Sequence, residues 1–372
     1  MSLPGFATLE GTSRYKDKFS SFCAKDHFRE VGGCWVSSIG VGTYLGNPDD
    51  STDKLVTQAI VQSVQNGINV LDTAINYRRE RGEKSVGLAL ERLIGSGEFH
   101  RDEILVCTKG GFLPQSLGTK WYASQIGKGG LGMEDLVAGC HCMHPEYLSD
   151  QLERSLKNLG LKTIDLYYIH NPETQLGKVD DITFYKRLAL AFEFLESAVR
   201  EGKIKNYGLA TWKAFRQPEG HEQSISLTRA KNLARQSAGD ENDHFRFIQL
   251  PFNLPMPEAI RKSTQRVGDR LLPALVAARE LGIFPIASGS ISQGKALSLA
   301  EKLKAGLGKS LNHPAQRALQ FTRSAPGLAT ALVGMKQPEH LDQNLELCKR
   351  PLLQPEQFQD LFKKNESGKQ GL

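Results

Sequence analysis

The chain has few cysteines, no long apolar run and no dense block of one charge, and each lack removes a class of protein. Six cysteines in 372 residues (Cys23, Cys34, Cys107, Cys140, Cys142 and Cys348) are too sparse for the disulfide framework of a small secreted domain. Nowhere does the sequence approach the roughly 18 consecutive apolar residues of a transmembrane helix. The opening MSLPGFATLEGTSRYKDKF lacks the apolar stretch of a secretory leader, so a cytoplasmic protein with no membrane contact is expected. Lys and Arg number 47 against 41 Asp and Glu, for a formal charge of +6. These basic residues are scattered, whereas a nucleic-acid binder gathers them on one face or helix, and no nucleic-acid partner is expected. The mild excess suits a soluble surface or the attraction of an anionic small molecule.

What is present is a steady alternation of short β-branched runs with longer helical segments. The strand-like runs are VSSIGVGTY (36–44), INVLDTA (68–74), EILVCTK (103–109), TIDLYYIH (163–170), IKNYGLAT (204–211), FRFIQLPFN (245–253), IFPIAS (283–288) and LATALVGM (328–335). Each is followed by a helical stretch: 49–68, 81–95, 145–160, 182–203, 224–238, 269–282, 313–327 and 338–349. Alternating β and α units imply a parallel sheet. Eight of them over about 300 residues favour a closed (β/α)8 TIM barrel over an open sheet, which would show a linker between halves. The expected organisation is an N-terminal extension (1–35), one barrel domain (36–363) and a polar, disordered tail (364–372). A long loop, 110–144, follows the third strand, where a βα connection normally takes only a few residues.

In such a barrel, function sits where the strands end. The second strand ends in Asp72, with Tyr77 five residues on; the third ends in Lys109 and the fourth in His170. Singly, each has a plain structural reading: an ion pair between strands, a loop aromatic, a satisfied interior histidine. Their arrival at three successive strand ends points instead to proton transfer. A tyrosine is a poor acid near neutrality, but a neighbouring ammonium favours the phenolate and is expected to lower its pKa. Asp72 would hold that lysine charged, and His170 would orient a carbonyl. The hydride that reduction also needs cannot come from a side chain, so a nicotinamide cofactor is implied.

NVLDTAINYRRERGEKSVGLAL, CTKGG and DLYYIHNPE resemble, in order and spacing, the Asp-Thr-Ala–tyrosine, lysine and histidine strands of the aldo-keto reductases. The likeness runs from about residue 40 to residue 347. It implies NADPH-dependent (NADP+-linked) reduction of small-molecule aldehydes or ketones, with Tyr77 as general acid, Lys109 and Asp72 tuning it, and His170 orienting the substrate. It further implies cofactor contacts from Gly42, Thr43, Asp72 and Asn171. Thr211 and Trp212 stand where the family often has Ser-Asn beside the nicotinamide amide. Gln249 would bond that amide and Phe252 would stack under the ring. Ser288 and Ser290 would serve the pyrophosphate. Gly334, Lys336, Gln337, His340 and Asn344 would hold the adenosine 2′-phosphate and adenine. The family's usual arginine is absent from this last stretch, so the preference for NADPH rests mainly on Lys336. A monomer is expected.

Two motifs are set aside. GKGGLG (127–132) matches a dinucleotide fingerprint but lies inside the long loop, not between a strand and a helix. Cys140, His141, Cys142 and His144 lack zinc-site spacing and a second cluster, and no metal is expected. Two other functions stay open: a cofactor-sensing regulatory subunit, like channel-associated proteins that resemble this family, and a Schiff-base enzyme using Lys109.

Overall fold

The computed structural model describes residues 2–307 and 310–363; the expected disordered tail lies outside the described residues. Eight parallel strands close into a barrel. They are β1 (Ile39–Gly42), β2 (Val70–Asp72), β3 (Leu105–Gly110), β4 (Ile164–His170), β5 (Ile204–Ala210), β6 (Phe245–Pro251), β7 (Phe284–Ser288) and β8 (Thr330–Val333). The helices that follow them are α1 (Asp50–Val64), α2 (Arg81–Gly95), α3 (Pro145–Leu159), α4 (Asp181–Arg200), α5 (Leu227–Ala238), α6 (Ala274–Glu280), α7 (Pro314–Arg323) and α8 (Pro338–Cys348). Local chemistry sets their ends. Asp49 and Asp180 accept the Thr52 and Thr183 amides at 2.8 Å, filling orphan donors at the starts of α1 and α4. Gly160 closes α3 at φ 64°, a conformation cheap only for glycine. No helix among the described residues is long and apolar enough to cross a membrane.

Strand parity sorts the side chains into two cores. Leu71, Val106, Tyr167, Ile169, Ile248 and Leu250 face outward and pack with the helices. Val70, Cys107, Leu166, Tyr168 and Phe247 face inward and fill the barrel. Below them the barrel floor is closed by a hairpin, Phe28–Val31 with Cys34–Ser37, whose Val31, Cys34 and Val36 join the inner core. Val36 and Ser37 therefore belong to this hairpin and not to the first barrel strand. The signal was the pair Gly32-Gly33, both at positive φ (57° and 77°), the turn a tight hairpin requires.

A second departure lies before α6. The expected helix from residue 269 is instead, over its first part, a strand (Arg270–Pro273) paired with Ser263–Val267. Gly268 at φ 57° makes the turn, and Pro273 stands at the helix N-cap.

Barrel closure is tight at Gly208 on β5. An added Cβ there would overlap the Phe247 carbonyl oxygen and come within 2.9 Å of the Tyr168 ring. Gly208→Ala is expected to destabilise the fold by about 1–3 kcal/mol, the usual range for overpacking, read as a lowered midpoint in thermal or urea unfolding.

Candidate active site

The parity that fills the barrel also builds its mouth. Along each strand the inward positions run upward and end in a polar residue: Val70 then Asp72, Cys107 then Lys109, Tyr168 then His170, Phe247 then Gln249. Register brings these ends level, pairing Asp72 with Cys107, Lys109 with Tyr168, and Ala210 with both His170 and Gln249. Lys109 Nζ donates to Asp72 Oδ2 at 2.6 Å and to the Thr73 carbonyl at 2.8 Å. The second Asp72 oxygen accepts Gln249 Nε2 at 2.8 Å from across the barrel. Tyr77 leans over this pair, its ring centroid 5.0 Å from Lys109 Nζ and 5.7 Å edge-on from the His170 ring.

Two further rings surround the tyrosine. Tyr44, largely exposed, meets Tyr77 edge-on at 4.9 Å, and Phe112 meets His170 at 5.2 Å. Of the aromatics in the long loop, only Phe112 takes this place. Tyr122 and Leu131 pack with Leu136, Cys142 and Tyr147 into the loop's own small core, with Trp121 against them.

The wider set of expected cofactor residues divides. Thr43 donates its amide (3.1 Å) and hydroxyl (3.2 Å) to the Asp72 carbonyl. Gly42 ends β1, and Asn171 follows β4 in the left-handed region at φ 46°. Thr211 and Trp212 follow β5, with Trp212 exposed. Ser288 ends β7 half-buried. Gly334, Gln337 and His340 are exposed, Lys336 is half-buried and Asn344 is buried. Two expectations are corrected. Phe252 does not face the mouth: three residues beyond inward Gln249, parity turns it outward, where it is fully buried and stacked on Phe321 at 5.4 Å. The Ser290 hydroxyl is buried and donates to the Leu332 carbonyl at 2.7 Å, so it holds the β7 loop to β8 instead of pointing outward.

The model of the aldo/keto reductase family matches residues 38–219, a stretch that carries β1 to β5 and all of Asp72, Tyr77, Lys109 and His170. Over that stretch, just under half of its length, the chain is an aldo/keto reductase in sequence pattern. A Schizosaccharomyces pombe protein provisionally described as a voltage-gated potassium channel subunit beta is 24% identical over 339 residues, 86% of this chain and 87% of its own. An uncharacterized oxidoreductase of Bacillus subtilis is 23% identical over 348 residues, 89% of this chain and 96% of its own. Among solved structures, an aldo/keto reductase from Klebsiella pneumoniae superposes with a TM-score of 0.62 at 18% identity, covering 90% of this chain and 94% of that one. At that identity the likeness is one of fold.

The charges at this site follow from burial set against partners. Burial works against the Lys109 ammonium, but Asp72 and Tyr77 outweigh it and hold its pKa above the ordinary value. For Tyr77 burial is the larger effect: it raises the phenol above its ordinary value although Lys109 pulls the other way. The lowering expected from the lysine is thus present but outweighed. Burial, with Lys109 and His141 nearby, depresses His170 well below its ordinary value, so its ring is neutral.

Sequence reasoning missed the supports of this site. His141, set aside with the Cys-His cluster, is fully buried and donates from Nε2 to the His170 carbonyl at 2.8 Å. Gln175 donates to its other nitrogen at 3.3 Å, which fixes the tautomer. Glu173 is buried and accepts the Trp212 and Lys213 amides at 2.6 and 2.9 Å, setting the loop after β5. No local pattern announces either contact; only the order of the strands brings the partners together.

Proposed function

We propose that the protein reduces aldehydes and ketones to alcohols with NADPH, Tyr77 giving the proton to the carbonyl oxygen. The observation that carries this reading is the buried Asp72–Lys109 pair, 2.6 Å apart, set beneath a tyrosine and a neutral histidine at one barrel mouth.

The residues present fit a dinucleotide. Thr211 Oγ1 and His170 Nδ1 are buried without hydrogen-bond partners, and an orphan buried polar atom calls for a ligand or water. Helix α8 begins after Lys336 with no side-chain cap on its first amides, a favourable end for an anion. Thr211, Trp212 and Asn171 would hold the nicotinamide end, Ser288 the centre, and Lys336 with His340 and Asn344 the phosphorylated adenosine. A bound reduced nicotinamide would supply the hydride that no side chain can. The Klebsiella structure was solved with NADP and acetate. An Escherichia coli relative, 27% identical over 180 residues (47% of this chain, 48% of its own), is named an NADH-specific methylglyoxal reductase, so NADH belongs in the assay as a comparison.

The side chains divide the remaining work. Neutral His170 donates a hydrogen bond to the carbonyl oxygen and orients it. Tyr77 stays protonated until the oxygen gains charge, then releases its proton. Lys109, held charged by Asp72, stabilises the phenolate left behind. Gln249 keeps Asp72 aimed. Tyr44 and Phe112 make an apolar rim suited to aldehydes with apolar or aromatic groups.

Because burial lifts Tyr77 above its ordinary value of 10.0, reduction is expected to lose rate only above about pH 10. His170, depressed below 6.5, adds no loss down to about pH 6. A kcat profile from pH 6 to 11 checks both; an alkaline limb well below pH 10 would mean that Lys109 dominates instead.

A second reading, a cofactor-sensing subunit with little turnover, is favoured by the name of the S. pombe relative. The assay that tests the first separates the two: NADPH consumption against a panel of aldehydes and ketones. Turnover supports the reductase; tight NADPH binding with none supports the sensor.

A further inference from the structure

Tyr77 is followed by three residues in a conformation that L-amino acids avoid. Arg78, Arg79 and Glu80 have φ of 49°, 58° and 72°, and none is glycine. No other run of three such residues occurs among the described residues. Left-handed backbone at a β-carbon-bearing residue persists only where the surroundings impose it, and such strain gathers at functional sites.

The surroundings that impose it are charged. The Arg78 side chain is 1% exposed and ion-paired with Asp53 in the first turn of α1. It also donates to Ser85 Oγ at 3.0 Å and reaches the Thr43 carbonyl at 3.4 Å. Asp53 takes Arg81 Nε as well, at 2.7 Å. On the other flank, buried Glu80 is paired with Arg154 of α3 and accepts the Ser116 hydroxyl at 2.9 Å. The turn is thus held between α1 and α3 by side chains that give up hydration to do so.

What the turn fixes is Tyr77. The Gly82 amide returns to the Tyr77 carbonyl at 3.2 Å. Gly82 itself lies so close that an added Cβ would sit 3.1 Å from Tyr77 Cβ and 2.9 Å from Thr73 Oγ1. Thr73 in turn gives its carbonyl to Lys109. Thr43, whose carbonyl Arg78 reaches, holds the Asp72 carbonyl. The anchor therefore touches the backbone on both sides of the Asp72–Lys109–Tyr77 group.

We propose that Arg78 is a positioning residue: its ion pair with Asp53 locks the left-handed turn and so fixes the Tyr77 phenol against Lys109 and His170. This rests on the reading of Tyr77 as proton donor. The alternative is a plain structural tie between α1 and α2.

Two variants separate these. Arg78→Gly removes the anchor while giving the backbone a residue that takes positive φ freely. Asp53→Asn keeps the shape and removes the charge, and stands in if the glycine variant does not fold. With 4-nitrobenzaldehyde and NADPH, kcat is expected to fall 10- to 100-fold in Arg78→Gly and less in Asp53→Asn. The NADPH dissociation constant should stay within twofold, and the solvent deuterium effect on kcat should grow. A kcat within twofold of the parent, with a lowered unfolding midpoint and an undisplaced phenol, overturns the proposal in favour of the structural tie. A crystal structure of Arg78→Gly reads the position directly, and an undisplaced phenol overturns the proposal whatever the chemistry. A displaced phenol with unchanged turnover upholds the positioning and removes Tyr77 as the donor, so the two failures are distinguishable.

Discussion

Tyr77→Phe is expected to lower carbonyl reduction by about 10²- to 10⁴-fold, the usual worth of a positioned general acid, and to leave NADPH affinity unchanged. The prediction is sharp because the substitution removes one atom and little else. The ring keeps its contacts with Tyr44 at 4.9 Å and His170 at 5.7 Å, and Lys109 stays tied to Asp72 and the Thr73 carbonyl. Folding and cofactor binding should therefore survive, and the loss should fall in kcat. The alkaline limb of the pH profile, assigned to the phenol, should vanish from the residual rate. NADPH consumption by the two proteins side by side, with binding followed by cofactor fluorescence, measures all of this. Undiminished turnover would mean that the proton comes from elsewhere, and His170 is the next group at the mouth. It is a poor candidate: its ring is already neutral, and losing a second proton from a neutral imidazole is far harder than losing one from a phenol.

Much of this arrangement was legible in the sequence, for an identifiable reason. A parallel barrel needs buried β-branched strands alternating with amphipathic helices, and both periods survive in the residues. Strand parity then makes the last inward residue of a strand the first one at the mouth. Asp72, Lys109 and His170 could be read from that rule alone. The same rule, counted three residues past inward Gln249, would have turned Phe252 into the outer core, where it stacks on Phe321. The sequence hid contacts made between distant segments. Gln249 reaches Asp72 across 177 residues, and His141 reaches the His170 carbonyl from a long loop whose Cys-His cluster had been set aside. The floor hairpin was hidden differently. Its Gly32-Gly33 turn is a local signal, but Val36 and Ser37 run on without a break into β1 and read as one strand.

Lys109→Met is the variant expected to cost the fold most. It leaves the Asp72 carboxylate buried at the barrel mouth with only Gln249 Nε2, 2.8 Å away, to satisfy it. Removing one partner of a buried ion pair typically destabilises by about 3–5 kcal/mol near neutral pH. The loss should depend on pH with a definite sign. Burial already lifts the Asp72 carboxyl, with Lys109 opposing most and the Gln249 hydrogen bond less; without the lysine only Gln249 opposes the lift. The folded variant then holds a proton that the unfolded chain releases near the ordinary carboxyl value of 3.8. A group whose pKa is raised by folding adds stability at low pH and loses it as pH climbs through the folded value. The gap to the parent protein should therefore narrow from pH 8 to pH 5. Asp72→Asn with Lys109→Met removes both buried charges and should recover a large part of the stability; with the Asp72→Asn single variant it completes a double-mutant cycle and gives a coupling energy. All three variants should be inactive, so the cycle measures the pair's part in the fold separately from its part in the chemistry. Urea unfolding at several pH values supplies the numbers. If Lys109→Met unfolds within about 1 kcal/mol of the parent at pH 7, less than the cost of a buried unpaired charge, water reaches Asp72 freely. In that case the site lacks the low dielectric in which Lys109 stabilises a phenolate.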